Sequence, residues 1–245
     1  MSVDTHGTRF LEGRGRSVSV PLFPITVDRY HRMIQEGILA TEHPVELSGR
    51  VIVEKGSEIP WRFSVAMYHD MIEHGILTAD DPVELVDGLL VKKMAKNPPH
   101  SVTTQRLRKA IEKRLPAKWS LRVQEPITLE GGEPEPDLAV VEGEDSKYSS
   151  RHPGSVDIAH LTEVSDSSLA TDRGLKKQSY ADAKIPVYWI INLVDTKVEV
   201  YTEPGMTPDG PDYLKREDFG IGQDVAFEVG GKRIVIPVAE FLSAK

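Results

Sequence analysis

The run IAHLTEVSDSSLATDRGLKKQSYADAKIPVYWIIN, residues 158–192, decides the architecture. Its first seven residues are mostly apolar, the composition of a central strand buried on both faces. The polar loop Ser165-Asp166-Ser167-Ser168 follows, and then a helical stretch from about Leu169 to Ala183. Val187–Asn192 reads as a second strand, turning through Val194-Asp195-Thr196 into a third at Lys197–Tyr201. Upstream, residues 120–129 (SLRVQEPITL) and 137–142 (DLAVVE) read as strands. Downstream, short strands near 225–229 and 233–236 are joined through Gly230-Gly231. Ahead of them all, after Asn97-Pro98-Pro99, a helix is expected from about Ser101 to Leu115. Leu107, Ile111 and Leu115 form its buried stripe, and Pro116 stops it. The order helix, hairpin, helix, strands, helix, hairpin predicts an α+β domain on a mixed sheet.

The N-terminal part contains a duplication. Residues 30–55 (YHRMIQEGILATEHPVELSGRVIVEK) align without gaps on residues 68–93 (YHDMIEHGILTADDPVELVDGLLVKK), with 13 of 26 positions identical. Two copies are too few for a solenoid. Each copy reads as a helix followed by strand. In the second, Met67, Met71 and Ile72 share a face and Gly75 is the stop signal. Asp87-Gly88 between ValGluLeuVal and LeuLeuVal is the pair a type I′ hairpin turn favours; Ser48-Gly49-Arg50 in the first copy is the weaker signal. The first copy is expected to be structural, covering a sheet edge or forming a homodimer contact. The expected organisation is a loose arm over 1–22, the duplicated unit over 23–60 and the main domain over 61–245.

Composition narrows the chemistry. The 245-residue chain has no cysteine, which excludes disulfides and thiolate metal sites. Any metal must be held by carboxylates, histidines, carbonyls and water, a set suited to Mg²⁺ or Mn²⁺. The N-terminus lacks the apolar core of a secretory signal, and no apolar run approaches the roughly 20 residues needed to span a bilayer, so no membrane partner and a cytoplasmic location are expected. The net charge of −8 argues mildly against nucleic acid, but its distribution is uneven. From Lys92 to Lys118 nine cations face one acid, Glu112, so that segment carries +8 and the remainder −16. The structural reading of such a run is a solvated face; the functional one is a track for a phosphate backbone.

Three residues stand out as candidate chemistry. Asp137 follows Pro136 at the start of a strand, Glu163 lies near the end of the next apolar strand, and Lys176 sits on the helix after it, beside Lys177. Carboxylates on neighbouring strands can share a divalent cation. A lysine beside that cation could orient the attacking water and offset charge on a phosphate. The bland reading has the two acids merely terminating strands and the lysines solvated. His69 and Glu73, spaced i, i+4, could also chelate, although a surface pair is the plainer reading. Tyr188 and Trp189 read as core. No GxSxG, P-loop or dinucleotide fingerprint is present.

As an ordered set, several motifs resemble the Uma-two family of restriction endonuclease-like proteins. They are Glu133-Pro-Glu-Pro-Asp137-Leu-Ala-Val-Val, Glu163-Val-Ser-Asp-Ser-Ser-Leu169, Asp172-Arg-Gly174 with Lys176 and Tyr180, and Ile185-Pro-Val-Tyr-Trp-Ile-Ile191. Tyr68 to Gly88 and the stretch LysAsnProProHis100 extend the resemblance to about residues 61–205. It implies a restriction endonuclease-like PD-(D/E)XK fold: a mixed β-sheet core flanked by helices, with Asp137 and Glu163 binding the metal and Glu84 at the superfamily's first acidic position. The superfamily's lysine two residues after the glutamate is absent; Ser165 stands there, and Lys176 matches its role from the next helix. The expected activity is Mg²⁺- or Mn²⁺-dependent endonucleolytic hydrolysis of DNA, with Lys96, His100, Arg106, Lys109 and Lys113 meeting the backbone. The rival expectation, from another class, is a nuclease-fold module that binds nucleic acid or protein without cutting.

Overall fold

The computed structural model describes residues 9–13 and 16–243. The chain forms two compact units, one of residues up to Met94 with Glu130–Glu133, the other of Ala95–Leu129 with Pro134 onward. Part of the expected N-terminal arm, residues 1–8 and 14–15, lies outside the described residues. Within the same stretch β1 (Arg9–Gly13) pairs antiparallel with β2 (Arg16–Val20).

The rest of the first unit is the duplication. The first copy holds α1 (Val27–Gln35), β3 (Val45–Ser48) and β4 (Val51–Glu54); the second holds α2 (Val65–Glu73), β5 (Val83–Val86) and β6 (Leu89–Lys92). Each helix starts where a hydroxyl cap satisfies an orphan amide: Thr26 Oγ1 accepts from Arg29 N at 3.2 Å, and Ser64 Oγ from Met67 N at 3.1 Å. Both hairpins turn through two residues of positive φ, Asp87 and Gly88 in one and Gly49 and Arg50 in the other. The first copy therefore makes the same turn despite its weaker signal. The Arg50 carbonyl accepts from Ile25 N at 2.8 Å, and that tertiary bond holds the left-handed backbone an arginine would not choose. The core of the unit gathers Met33, Leu39 and Ile52 with Met71, Leu77 and Leu85. Met71 is buried on α2 as expected, but Ile72, expected on the same face, points to solvent, and Tyr68 is buried in its place.

In the second unit α3 (Pro98–Glu112) begins three residues earlier than its periodicity suggests. Asn97 caps it by accepting from His100 N at 3.0 Å, and Pro98 takes the first position, where no amide is needed. The strands are β7 (Trp119–Val123), β8 (Leu138–Glu142), β9 (Ile158–Ser165), β10 (Val187–Asn192), β11 (Lys197–Thr207) and β12 (Gly210–Gly220). They form one sheet in the order β12-β11-β10-β9-β8-β7, mixed because β9 and β10 run parallel and the other neighbours antiparallel. Between β9 and β10 the chain passes through α4 (Leu169–Thr171), a π-helical turn (Asp172–Lys176) and α5 (Lys177–Asp182). The antiparallel pair β13 (Asp224–Val229) and β14 (Lys232–Pro237) follows.

The expected α+β architecture, a mixed sheet flanked by helices, is present. Two strands differ from their sequence reading. β7 stops at Val123 because Gln124 takes φ +56°, which turns the chain out of the sheet. β11 continues to Thr207 and is followed by β12, although Pro204, Gly205 and Pro211 argue against strands there. β12 is an edge strand, where proline and charge are tolerated because one side needs no partner. One sheet face packs Leu107, Ile111, Trp189, Phe227 and Phe241; the other packs Leu161, Tyr180, Tyr188 and Tyr213. Tyr188 and Trp189 are fully buried core, as expected. Among the described residues no helix is long and apolar enough to cross a membrane.

Candidate active site

Strand alternation puts Glu163 on the face of β9 that carries Leu161, against α5. Asp137 immediately precedes β8 on the same parity as Ala139 and Val141, which line that face. Leu138 pairs with Thr162 across the antiparallel β8–β9 ladder, so continuing the register by one position sets Asp137 opposite Glu163. Directly opposed residues have their Cβ atoms about 4.5–5.5 Å apart. Asp137 Oδ2 also accepts from the backbone N–H of Val164 at 2.8 Å, which fixes the aspartate at the end of β9. Both carboxylates are buried.

Lys176 Nζ lies 3.1 Å from Glu163 Oε1, and Tyr180 donates its hydroxyl to the same oxygen at 2.8 Å. The two residues are four apart and share a helix face. Lys177 points elsewhere: it pairs with Asp212 at 2.7 Å and lies over the Tyr201 ring. The π-turn carrying Lys176 is pinned at both ends of Asp172-Arg173. Asp172 Oδ2 accepts from Ser165 Oγ at 2.7 Å and Ser168 Oγ at 2.6 Å. Arg173 makes a two-pronged ion pair with Glu199, a wholly buried carboxylate that also accepts from Asn192 at 2.8 Å and Tyr201 at 2.7 Å. Burial raises the Glu199 pKa, but the hydrogen bonds from Arg173, Asn192 and Tyr201 outweigh it and the carboxyl is held below its ordinary value.

Asp137 is surrounded by donors. His100 Nε2 lies 3.1 Å from Oδ2, and Gln124 Nε2 donates to Oδ1 at 3.0 Å. Gln124 also donates its backbone N–H to the Asp137 carbonyl at 3.1 Å, using the left-handed backbone that ends β7. Burial alone would raise the Asp137 pKa; the hydrogen bond and charge of His100, the Val164 amide and the Gln124 amide together hold it low, so the group stays ionised. Nδ1 of His100 is buried with no hydrogen-bond partner among the described residues.

The structure thus brings Asp137, Glu163, Lys176 and His100 together. Glu84 lies on β5 in the first unit, buried, and its link to a metal rests on the family resemblance. His69 pairs with Glu133 at 2.8 Å, so Glu73 is not its partner. The basic residues divide. Lys113 and Arg114 both bind Glu240, at 2.8 and 2.5 Å, and hold its carboxyl down to about 2; Arg108 pairs with Glu112, and Arg106 donates to Ser243 at 2.7 Å. Lys96 and Lys109 are exposed and make no ion pair among the described residues. Sequence reasoning missed Gln124 altogether, because nothing in SLRVQEP marks a left-handed glutamine. It placed His100 near phosphate rather than on Asp137, although its position in the first turn after the Asn97 cap was readable.

Two buried carboxylates thus face each other across a strand pair of a mixed sheet, with a lysine on one of them. The Uma2 family, described as "Putative restriction endonuclease", matches residues 65–227, and the chain belongs to that family. A solved structure from Anabaena variabilis, described as "a putative nuclease belonging to DUF820", is similar with a TM-score of 0.51 at 14% identity, covering 66% of this chain and 88% of that one. No curated protein matches the chain.

Proposed function

We propose that the protein is a metal-dependent endonuclease that hydrolyses phosphodiester bonds in DNA. The observation that carries the proposal is the Asp137–Glu163 pair, set opposite each other by the β8–β9 register, with Lys176 Nζ 3.1 Å from Glu163. Among the described residues no three His, Asp or Glu side chains converge as a ready metal cage. The donor set nevertheless fits Mg²⁺ or Mn²⁺, which bind through one or two carboxylates and keep waters and phosphate oxygens for the rest. Asp137 and Glu163 would hold the ion, with Glu84 the further acidic ligand that the family implies. A bound ion supplies Lewis acidity and a water of lowered pKa.

The chain's own residues do the rest. Lys176 brings a buried positive charge to the place where negative charge grows on phosphate during attack. Tyr180 and Lys176 together fix the Glu163 carboxylate, while Gln124, His100 and the Val164 amide fix that of Asp137. Phosphate contacts would come from Lys96 and Lys109, since Lys113 is committed to Glu240. Backbone contacts give affinity without sequence information.

The second reading is a nuclease-fold module that binds without cutting. It is favoured by the protein donors already on both oxygens of Asp137 and by Ser165 in place of a lysine. Incubation with plasmid, single-stranded and branched DNA in Mg²⁺ or Mn²⁺ separates the two. Cleavage should need the ion, stop with a chelator, and fall by about 10²–10³ in Asp137→Asn and Lys176→Ala but not in Lys177→Ala. DNA binding without cleavage in either ion would establish the module instead.

A further inference from the structure

The two copies of the first unit are related to one another by an internal two-fold arrangement. The segment before each helix pairs first with the hairpin of the other copy and then with its own. Lys92 N donates to Pro21 O at 2.7 Å and Phe23 N to Leu90 O at 2.8 Å, after which Ile25 N donates to Arg50 O at 2.8 Å. At positions 38 residues on, Glu54 N donates to Ile59 O at 2.9 Å, Trp61 N to Ile52 O at 2.9 Å, and Phe63 N to Gly88 O at 2.7 Å. Every bond of the first set has its equivalent in the second. A small cavity is lined by equivalent pairs as well, Phe23 with Trp61 and Ile52 with Leu90 among them. Glu36 and His74 occupy the same position in the two copies and lie 3.6 Å from each other, which marks the axis. This is the geometry of an isologous dimer, in which residue i meets j and j meets i.

The charges at this contact suit only a mixed pair. Arg29 forms a two-pronged ion pair with Asp81, at 2.7 and 2.8 Å. Arg32 donates to the carbonyls of His74 and Gly75, at 2.6 and 3.2 Å, and so caps the negative end of α2. Two second copies would offer Met67 to Asp81, set Asp70 against those carbonyls, and bring His74 to His74. Two first copies would bring Glu36 to Glu36. Complementarity in one pairing and repulsion in the others is how an interface selects its partner.

We infer that residues 59–93 carry a pairing surface built for the first copy, and that residues 21–55 occupy it as a built-in partner, closing it to a second chain. The family match begins at Val65, so the partner copy lies outside the matched region. On this inference the first copy serves a pairing within one chain instead of the homodimer contact expected of it.

Because the chain has no cysteine, the test is clean. Glu36 and His74 are exposed, so Glu36→Cys with His74→Cys should leave the fold intact, as circular dichroism would verify. A short bis-maleimide added to the full-length double variant should give a product of single-chain mass carrying an internal link. His74→Cys alone should give no linked pair of chains, although in a homodimer through this face position 74 would meet itself. Chain-to-chain linkage in the single variant, or failure of the folded double variant to link internally, would overturn the inference.

Discussion

At Asp137 burial and hydrogen bonding act in opposite directions, and the donors win. A carboxyl held below its unfolded value adds stability above that value and loses it as pH falls through the folded one. His160 shows the opposite chemistry with the same outcome. It is wholly buried beside Trp189 and Phe227, its side chain's only hydrogen bond among the described residues runs to Thr162 at 3.1 Å, and burial depresses its pKa to about 3. The unfolded imidazole takes a proton near 6.5 while the folded one does not until about 3. Its contribution is therefore complete above pH 6.5 and declines as pH falls toward 3, at about 1.4 kcal/mol per pH unit. His160→Leu, which cannot titrate, should flatten the pH dependence of the urea midpoint between pH 7 and pH 4. An unchanged slope would show that other groups set the acid lability.

The helix between β9 and β10 is where the site is made. Its π-turn sets Lys176 and Tyr180 on one carboxylate, and Arg173 ties that turn to Glu199 across the sheet. Removing one partner of a buried ion pair costs about 3–5 kcal/mol. The Arg173 side chain is 35% exposed and Arg216 still reaches Glu199 at 3.3 Å, so Arg173→Met should cost less, about 2 kcal/mol. Thermal or urea unfolding measures it, and a neutral result would mean the buried carboxylate is held well enough by Arg216, Asn192 and Tyr201. The helix itself was legible in the sequence, as were β8, β9 and β10, because apolar periodicity and burial agree there. The π-turn was not, since no local signal distinguishes it from an ordinary turn of helix. Nor was β12, whose prolines and charges reflect an edge that only the folded sheet defines. The grouping of Asp137, Glu163 and Lys176 was expected from the motifs and the family resemblance, and the fold brings the three together. Gln124 and the His100 contact depend on tertiary placement that spacing does not encode.

Across the whole molecule the charge pattern resolves into neutralised and free cations. The net −8 and the +8 of residues 92–118 suggested a broad basic track, yet Arg108, Lys113 and Arg114 have acidic partners. If DNA is the substrate, Lys96→Ala with Lys109→Ala should weaken binding evenly across sequences and lower the salt slope by about two units. Lys113→Ala should change the slope little and instead release Glu240. Equal effects from both replacements would show that Glu240 surrenders its lysine to phosphate. The duplicated unit would be untouched by any of these changes.

If the facing carboxylates of Asp137 and Glu163 hold a divalent ion, Mn²⁺ titrated calorimetrically into the folded, metal-free protein measures it without requiring a substrate. The wild type should bind Mn²⁺, and Asp137→Asn and Glu163→Gln should each weaken it by about 10–100-fold or more, while Lys177→Ala binds as the wild type does. Undiminished affinity in Asp137→Asn and Glu163→Gln, or no binding by the wild type, would contradict the account.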